Sequence, residues 1–283
     1  MSNNFNDPFA DNLVGLWDFL NSGPTEDTGL ADGVAQNGHL EGHASVSGER
    51  LHTDGDCDWF DVNGGNDHAF DLAEGTVAVQ FTQDAHVGTS DDTIVNRGEY
   101  ADRGDEGYFE IRVGLHGTVE LMHCANGADV NLSTSNGFFS PGDTVKVTYS
   151  WSETDGGTFL VENQTTGNTE SIDVTTTGLT MDVGDNDDES WTFGARENDD
   201  GHYNHFFDGK IDYVAVYNKD IINNGGDGIV SGDETANDID LGYTGDPEGD
   251  MIDAGDALLA GEAPDDDIVD AGAGNDTVEA GQG

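Results

Sequence analysis

The end of the chain repeats glycine and aspartate at an interval that could coordinate calcium. Residues 272–279 read Gly-Ala-Gly-Asn-Asp-Thr-Val-Glu, and members of this pattern recur nine residues before or after it. Glycine permits tight turns that aim carbonyl oxygens at an ion, and aspartate supplies charge, so the pattern predicts calcium loops. An acidic low-complexity linker is the alternative. The candidate ligands are Asp267, Gly272, Gly274, Asp276, Gly281 and Gly283.

Another candidate calcium ligand is an aspartate inside an apolar stretch. Residues 210–217 carry Ile, Tyr, Val and Ala in the pattern of a strand with at least one buried face, and Asp212 lies among them. A buried carboxylate needs a partner, which could be a bound cation or a hydrogen-bond network. The residues alone leave both alternatives open.

Two polar segments could form a ligand surface. Aromatic rings and carboxylates at a rim bind sugars by stacking and hydrogen bonding, whereas clustered Arg, His and Tyr could serve a polysaccharide lyase. We predict a polar loop for residues 196–205, although the spacing does not require that this loop meets the segment 96–108. The paired carboxylates of a jelly-roll hydrolase are missing, since no second Glu follows Glu197 at the required spacing. The candidate binding residues are Tyr100, Asp102, Asp105, Arg196, His202 and Tyr203.

These candidates must be positioned by strands. Short runs rich in β-branched and aromatic residues recur up to residue 217, with Gly, Asn and Asp turns between them. This spacing predicts an all-β fold, an antiparallel jelly-roll β-sandwich, followed by a calcium-dependent, β-roll-like acidic tail. The expected strands are 13–19, 44–46, 59–62, 76–82, 93–96, 108–113, 118–123, 144–151, 158–163, 169–174, 190–193 and 210–217.

Charge limits the partners and divides the chain. Asp and Glu number 59 against 8 Lys and Arg, a formal net charge of -51, which argues against nucleic acid or an anionic membrane surface as a partner. No Lys or Arg follows Lys219. We therefore expect a flexible N-terminus at 1–10, a sandwich at 11–219, an acidic linker at 220–245 and calcium-binding repeats at 246–283.

Membrane and redox signals are sparse. No apolar run approaches the ~20 residues that span a bilayer, so we expect no membrane insertion. The first residues have neither the basic start nor the apolar stretch of a signal peptide. Cys57 and Cys124 could form one disulfide or remain two thiols.

The tail, on the nine-residue pattern above, resembles the RTX family of secreted calcium-binding proteins. The resemblance implies calcium-induced folding outside the cell and type I secretion through an uncleaved C-terminal signal. The sequence stops at Gly283, inside a repeat. We therefore expect it to be the front piece of a longer protein.

The region before the tail resembles the laminin-G-like and concanavalin A-like jelly rolls. The specific part is residues 207–218, which read Phe-Asp-Gly-Lys-Ile-Asp-Tyr-Val-Ala-Val-Tyr-Asn. The resemblance implies a structural calcium held by Asp212, with Asp32 and the carbonyl of Gly38 as further ligands. The expected function is a secreted, calcium-binding module for adhesion or recognition of an extracellular glycan or cell surface. A polysaccharide-degrading enzyme and a structural spacer of a large adhesin are the alternatives.

Overall fold

The computed structural model describes residues 9, 12–19, 37–62, 67–85, 91–102, 107–183, 191–199, 201–222, 229–232, 235–241, 243, 252 and 268–279. The chain divides into two compact units, Met1–Asp220 and Ile221–Gly283. In the described residues, no helix is both long enough and apolar enough to cross a membrane.

The described residues of the first unit form seventeen strands. They are β1 (Leu13–Trp17), β2 (His39–Glu41), β3 (Ser45–Val46), β4 (Leu51–Asp54), β5 (Trp59–Val62), β6 (Glu74–Gln83), β7 (Asp92–Arg97), β8 (Tyr108–Gly114), β9 (Thr118–Ala125), β10 (Ala128–Ser133), β11 (Thr144–Ser152), β12 (Gly156–Asn163), β13 (Asn168–Val174), β14 (Trp191–Phe193), β15 (Arg196–Asp199), β16 (His202–Asn204) and β17 (Asp208–Tyr217). Short 3-10 helices lie at Asp67–Phe70 and Tyr100–Asp102.

Fifteen of these strands form two antiparallel sheets, which confirms the predicted all-β sandwich. The first sheet has the order β13-β12-β11-β6-β17-β4-β3, with β1 also paired to β17. The second has the order β10-β9-β8-β7-β14-β5-β2. The main apolar core draws on both sheets, and its fully buried members include Trp17 and Trp151 from the first sheet and Phe109 from the second.

Strand β17 departs from the simple alternation expected for it. It begins at Asp208, two residues before the expected start at residue 210. A β-bulge between Ile211 and Tyr213 inserts one extra residue opposite β6. The bulge reverses the alternation, so that Ile211 and Val214 are both buried in the core while Asp212 and Tyr213 are only half-buried.

Some of the strands carry too few apolar residues to be recognised from sequence. Strands β2 and β4 are short, and they pair with β5 and β17 respectively. Strand β10 pairs with β9 and was missed although its residues Ala-Asp-Val-Asn-Leu-Ser alternate apolar with polar. Residues 196–204, which we expected to be a loop, instead form the hairpin β15–β16. The prediction of a loop was wrong because Arg-Glu-Asn-Asp lacks the apolar alternation that marks a half-buried strand.

Cys57 and Cys124 are both free thiols, the first exposed and the second buried. The structure therefore has the second of the two alternatives left open by the sequence. In the second unit, β18 (Ile229–Ser231) pairs in parallel with β20 (Ile268–Asp270), and β19 (Asp238–Ile239) with β21 (Thr277–Val278).

Candidate functional site

The hairpin β15–β16 leaves the second sheet at Gly194 and is held beside it by Asn96. Gly194 has a φ of 90°, and a Cβ there would lie 3.0 Å from the Thr53 side chain, so this departure favours glycine. The Asn96 side chain accepts a hydrogen bond from the Glu197 backbone N–H at 2.9 Å. Its amide donates to the carbonyls of Gly98 and Phe109, so Asn96 is a fixed anchor.

Arg196 joins the hairpin to the short 3-10 helix at Tyr100–Asp102. Its guanidinium carbon lies 4.0 Å from the centroid of the Tyr100 ring, and its Nε donates to Asn204 at 3.0 Å. The whole residue is only 7% exposed. The structure therefore brings together the two segments that the spacing left unconnected, but it uses Arg196 and Tyr100 for that junction.

Three half-buried aromatic rings lie next to each other on the hairpin and β5. The Tyr203 ring stacks on Trp59, with centroids 4.3 Å apart and an interplanar angle of 22°. The Phe206 ring lies 6.0 Å from Trp59. All three residues are partly accessible. Such a group offers an apolar face with polar atoms at its edge.

Carboxylates surround the edge of this aromatic group. Glu197 lies opposite Tyr203 in the hairpin and accepts hydrogen bonds from the Tyr203 hydroxyl and the Gly201 N–H. Burial raises the pKa of Glu197 to about 7, and the nearby charges of Glu99 and Asp61 add to this rise. The pKa of Tyr203 is also raised, first by burial and then by the charge of Asp61.

Two buried polar atoms near these carboxylates have no hydrogen-bond partner within the described residues. They are Nε1 of Trp59 and Oγ1 of Thr192. Thr192 is fully buried, and in the sheet it lies between Asp61 of β5 and Asn96 of β7. Buried donors without partners are uncommon in native proteins, and they often mark a place where water or a ligand is bound.

We call Trp59, Asp61, Glu197, Tyr203 and Phe206 the aromatic–carboxylate surface. An apolar sugar face can stack on its rings, and the half-buried Glu197 carboxylate can accept hydrogen bonds from hydroxyl groups. Asp61 is only 7% exposed, so it contributes charge and not a direct contact. Sequence reasoning found Tyr203 but missed the other four. The available signal was the alternation in β5, where Trp59 and Asp61 point away from the core residues Phe60 and Val62.

The remaining predicted binding residues lie elsewhere or outside the description. His202 is exposed on β16, two residues from Asn204, and Arg196 is buried against Tyr100. Asp102 belongs to the short 3-10 helix, and Asp105 lies outside the described residues. A lyase arrangement built on Arg196 and His202 would need an accessible guanidinium, and that of Arg196 is not accessible.

Asp212 already has side-chain partners in the structure. One carboxylate oxygen forms an ion pair with Nε of Arg50, and the other accepts a hydrogen bond from Gln80 at 2.9 Å. This is the hydrogen-bonded alternative that the residues left open. Gly38 lies against Phe60 and Asp61 in the second sheet, whereas Asp212 belongs to the first, and Asp32 is outside the described residues. The calcium assignment for this group stays a prediction.

The tail candidates that are described lie in the turn between β20 and β21. Asp276 accepts a hydrogen bond from the Asn237 N–H at 2.9 Å, and a Cβ on Gly274 would lie 2.4 Å from the Thr235 carbonyl oxygen. Gly272 has a φ of 71°. The strands β18 and β19 begin nine residues apart, as do β20 and β21. Asp267, Gly281 and Gly283 lie outside the described residues.

Among the described residues, no group of three or more His, Cys, Asp or Glu side chains is arranged to hold a metal ion. The tail and Asp212 ligand sets therefore remain sequence-based predictions.

No protein-family model matches the chain, and no curated protein matches it. Several solved structures do match the chain. The binding domain of botulinum neurotoxin DC in complex with SialylT is 12% identical with a TM-score of 0.50, over 75% of this chain and 49% of that chain. The same domain in complex with rat synaptotagmin II is also 12% identical, with a TM-score of 0.51, over 75% of this chain and 49% of that chain.

A third similar structure concerns botulinum neurotoxin type C, whose cell entry depends on interaction with two ganglioside molecules. It is 12% identical with a TM-score of 0.50, over 75% of this chain and 49% of that chain. The chain thus spans about half the length of the solved structures it matches. At this identity the likeness shows the β-sandwich fold alone.

Proposed function

We propose that the first unit is a non-catalytic carbohydrate-binding module and that its sugar lies on the aromatic–carboxylate surface. The observation that carries this proposal is the stack of half-buried Tyr203 on Trp59, with the Glu197 carboxylate bonded to the tyrosine hydroxyl. Stacking fixes the apolar face of a sugar ring, while the Glu197 carboxylate accepts hydrogen bonds from its hydroxyls. The similar folds include a binding domain in complex with SialylT and a neurotoxin whose cell entry depends on interaction with two ganglioside molecules.

In this proposal the buried residues of the hairpin position the surface. Arg196, Tyr100 and Asn96 hold β15 against the sheet, so that Glu197 and Tyr203 keep their places. Preorganised side chains lose less conformational entropy on binding, which favours affinity for a small ligand.

The test is a binding screen of the whole chain against immobilised glycans, repeated with Tyr203→Ala. We expect the variant to lose at least about tenfold in affinity for any glycan that binds, equal to about 1.4 kcal/mol. Tyr213→Ala is the matched control, because Tyr213 is also a half-buried tyrosine but belongs to β17 in the first sheet. Unchanged binding by Tyr203→Ala, or no glycan bound by the native chain, would count against the proposal.

A hydrolase is the second candidate, and one observation favours it. The pKa of Glu197 near 7 suits a general acid, and Asp61 is a second carboxyl group close enough to raise it. New reducing ends released from a bound polysaccharide, and lost in Glu197→Gln, would favour hydrolysis. Binding without product supports the module.

We further propose that the protein is exported by type I secretion and acts outside the cell in adhesion, and that calcium stabilises its tail. The excess of acidic residues and the nine-residue pattern support the calcium part. Calcium should raise the melting temperature of the whole chain relative to chelator, because it binds the native state. The rise should shrink in Asp276→Ala, and a further loss of the rise in Asp212→Ala would extend the calcium site to the sandwich. Equal melting with calcium and with chelator would refute calcium dependence.

A further inference from the structure

Two rings that contact Trp59 come from one short stretch of the chain. The centroid of the Tyr203 ring lies 4.3 Å from that of Trp59, and the centroid of the Phe206 ring lies 6.0 Å from it. Successive side chains of an extended strand point to opposite faces, so residues three positions apart point away from each other. The backbone between Tyr203 and Phe206 therefore has to depart from an extended strand.

His205 supplies that departure. Its φ is 55°, in the left-handed region that few residues other than glycine adopt. The change of direction returns Phe206 to Trp59, and the next residue, Phe207, enters the core, where its ring lies 5.8 Å from that of Phe81. One left-handed residue thus allows consecutive phenylalanines to serve the aromatic–carboxylate surface and the core.

His205 is also tied to the start of β7. Its Nδ1 lies 2.6 Å from the Asp91 carbonyl oxygen, and since a carbonyl only accepts, Nδ1 carries the proton and donates it. The His205 carbonyl accepts a hydrogen bond from the Thr93 N–H at 2.8 Å. Asp91 is itself held, because its carboxylate forms an ion pair with Arg112 at 3.4 Å. A glycine could provide the left-handed turn, but it could not provide the hydrogen bond from Nδ1.

We infer that His205 is the positioning residue of the aromatic–carboxylate surface. Its left-handed backbone brings Tyr203 and Phe206 to the same ring, and its hydrogen bond to Asp91 keeps them there before a ligand arrives. Strained backbone conformations persist where surrounding contacts enforce them, and they cluster at ligand-binding sites. A surface fixed in advance loses less conformational entropy on binding. The consequence for glycan affinity rests on the proposed function, whereas the placement of the rings does not.

Three substitutions of His205 separate the role of its backbone from that of its side chain. His205→Asn keeps both properties, because asparagine tolerates the left-handed conformation and its amide donates hydrogen bonds. His205→Gly keeps the conformation and loses the donor, and His205→Ala loses both. Asn126→Gly is the matched control. Asn126 is also left-handed, with a φ of 51°, and donates to Thr180 at 3.2 Å, but it lies in the turn between β9 and β10.

The rings are measured without a ligand, by fluorine NMR of the whole chain labelled with 5-fluorotryptophan. The chain has four tryptophans, and the three other than Trp59 are buried in the core, so Trp59→Phe identifies the remaining resonance. We expect the Trp59 resonance to shift or broaden in His205→Gly and His205→Ala and to keep its native position in His205→Asn and Asn126→Gly. The three core resonances should stay in place in all four variants, whereas a merely structural role of His205 would move them too.

Glycan affinity is measured by calorimetry with hexasaccharides of β-1,4-linked glucose and of β-1,4-linked N-acetylglucosamine, and with any glycan retained in the screen above. His205→Gly and His205→Ala should bind about three- to tenfold more weakly than the native chain, which corresponds to ordering about one side chain on binding. His205→Asn and Asn126→Gly should stay within about twofold of the native affinity.

The two levels of the proposal fail differently. If the native chain binds none of these glycans, the proposed function is wrong, and the fluorine spectra still decide the role of His205. If the Trp59 resonance of His205→Gly keeps its native position and width, or if the core resonances move together with it, the positioning role is wrong. Native affinity in His205→Gly, for a glycan that Tyr203→Ala fails to bind, would also overturn the positioning role and would leave the proposed function intact.

Discussion

Asp212 and Glu197 are both partly buried carboxylates, and the protein surrounds them in opposite ways. Asp212 has Arg50 on one oxygen and Gln80 on the other, so its charge is balanced by side chains. Glu197 has a tyrosine hydroxyl and a backbone N–H, and the charges that shift its pKa are those of Glu99 and Asp61. The first carboxylate has its partners within the fold, whereas the charges that shift the pKa of the second, within the described part of the chain, belong to other carboxylates.

This difference separates a structural group from a functional candidate. A carboxylate balanced by arginine and amide donors joins strands and has little capacity for a ligand. A carboxylate held among other carboxylates keeps a raised pKa, an arrangement that clusters at functional sites. Burial and residue type alone do not tell the two apart, since only the neighbours differ.

The largest expected change in stability follows from substitution of Asp212. Asp212→Ala leaves Arg50 and Gln80 without their acceptor, and it should lower the free energy of unfolding by about 1–2 kcal/mol. We expect no larger loss, because the Arg50 side chain is 40% exposed and water screens its ion pair with Asp212, whose side chain is 12% exposed. Denaturation in urea measures it, with chelator present throughout.

Glu162→Ala is the reference for Asp212→Ala, because an exposed pair with Lys146 should contribute at most about 0.5 kcal/mol. If the loss in Asp212→Ala occurs only when calcium is present, Asp212 is a metal ligand and the comparison fails.

A smaller effect, of opposite sign, is expected at Glu197. Its pKa rises from 4.5 to about 7 on folding, so the folded state binds the proton more tightly than the unfolded state. Stability should therefore fall as pH rises from about 4.5 to 7, by about 1 kcal/mol after allowance for solvent screening. Glu197→Gln should remove this fall, so the variant is more stable than the native chain above about pH 7 and equal to it below about pH 4.5.

The measurement for Glu197 is the unfolding free energy in urea at several pH values across that window. Glu162→Gln is the control and should follow the native profile, because Glu162 is a half-exposed carboxylate of the first sheet that is paired with Lys146. A native profile that Glu197→Gln leaves unaltered would show that this carboxylate is not held in an anionic environment.

The sandwich could be predicted from the sequence because each of its core strands has a recognisable local residue pattern. Strands such as β6, β8, β11 and β17 carry β-branched and aromatic residues over most of their length. Each was predicted within a few residues of its observed bounds. The hairpin β15–β16 was missed because its pairing depends on Asn96 and Gly194, which no local pattern connects to it.

The candidate site was less predictable for the same physical reason. Tyr203 could be chosen from its type, but its partner Trp59 and the neighbouring Glu41 come from strands far away in sequence. Asp212 was recognised as a carboxylate that needs a partner, yet only the fold identifies Arg50 as that partner. Residue type predicts a need, whereas tertiary structure decides how the need is met.

Asp58 is a third carboxylate to set beside Asp212 and Glu197, and the smallest expected change in stability concerns it. It is 1% exposed, and its Oδ2 accepts a hydrogen bond from the Asp54 N–H at 2.7 Å. Oδ1 is buried without a hydrogen-bond partner in the part of the chain that the structure describes. Burial raises the pKa of Asp58, and the charge of Asp54 also contributes. Asp58 therefore resembles Glu197 more than Asp212.

Asp58→Asn keeps the acceptor for the Asp54 N–H and removes a charge from an anionic turn, so it should stabilise the protein by up to about 1 kcal/mol at neutral pH. The gain should vanish in acid, where Asp58 is protonated in the native chain. Asp56→Asn, on the exposed side of the same turn, should change stability by less than about 0.5 kcal/mol. Urea denaturation of the native chain and of the two variants, at neutral and at acidic pH, measures these differences in stability. A loss of stability in Asp58→Asn would mean that the native carboxylate is balanced by a cation, which would place Asp58 with Asp212 among the structural groups.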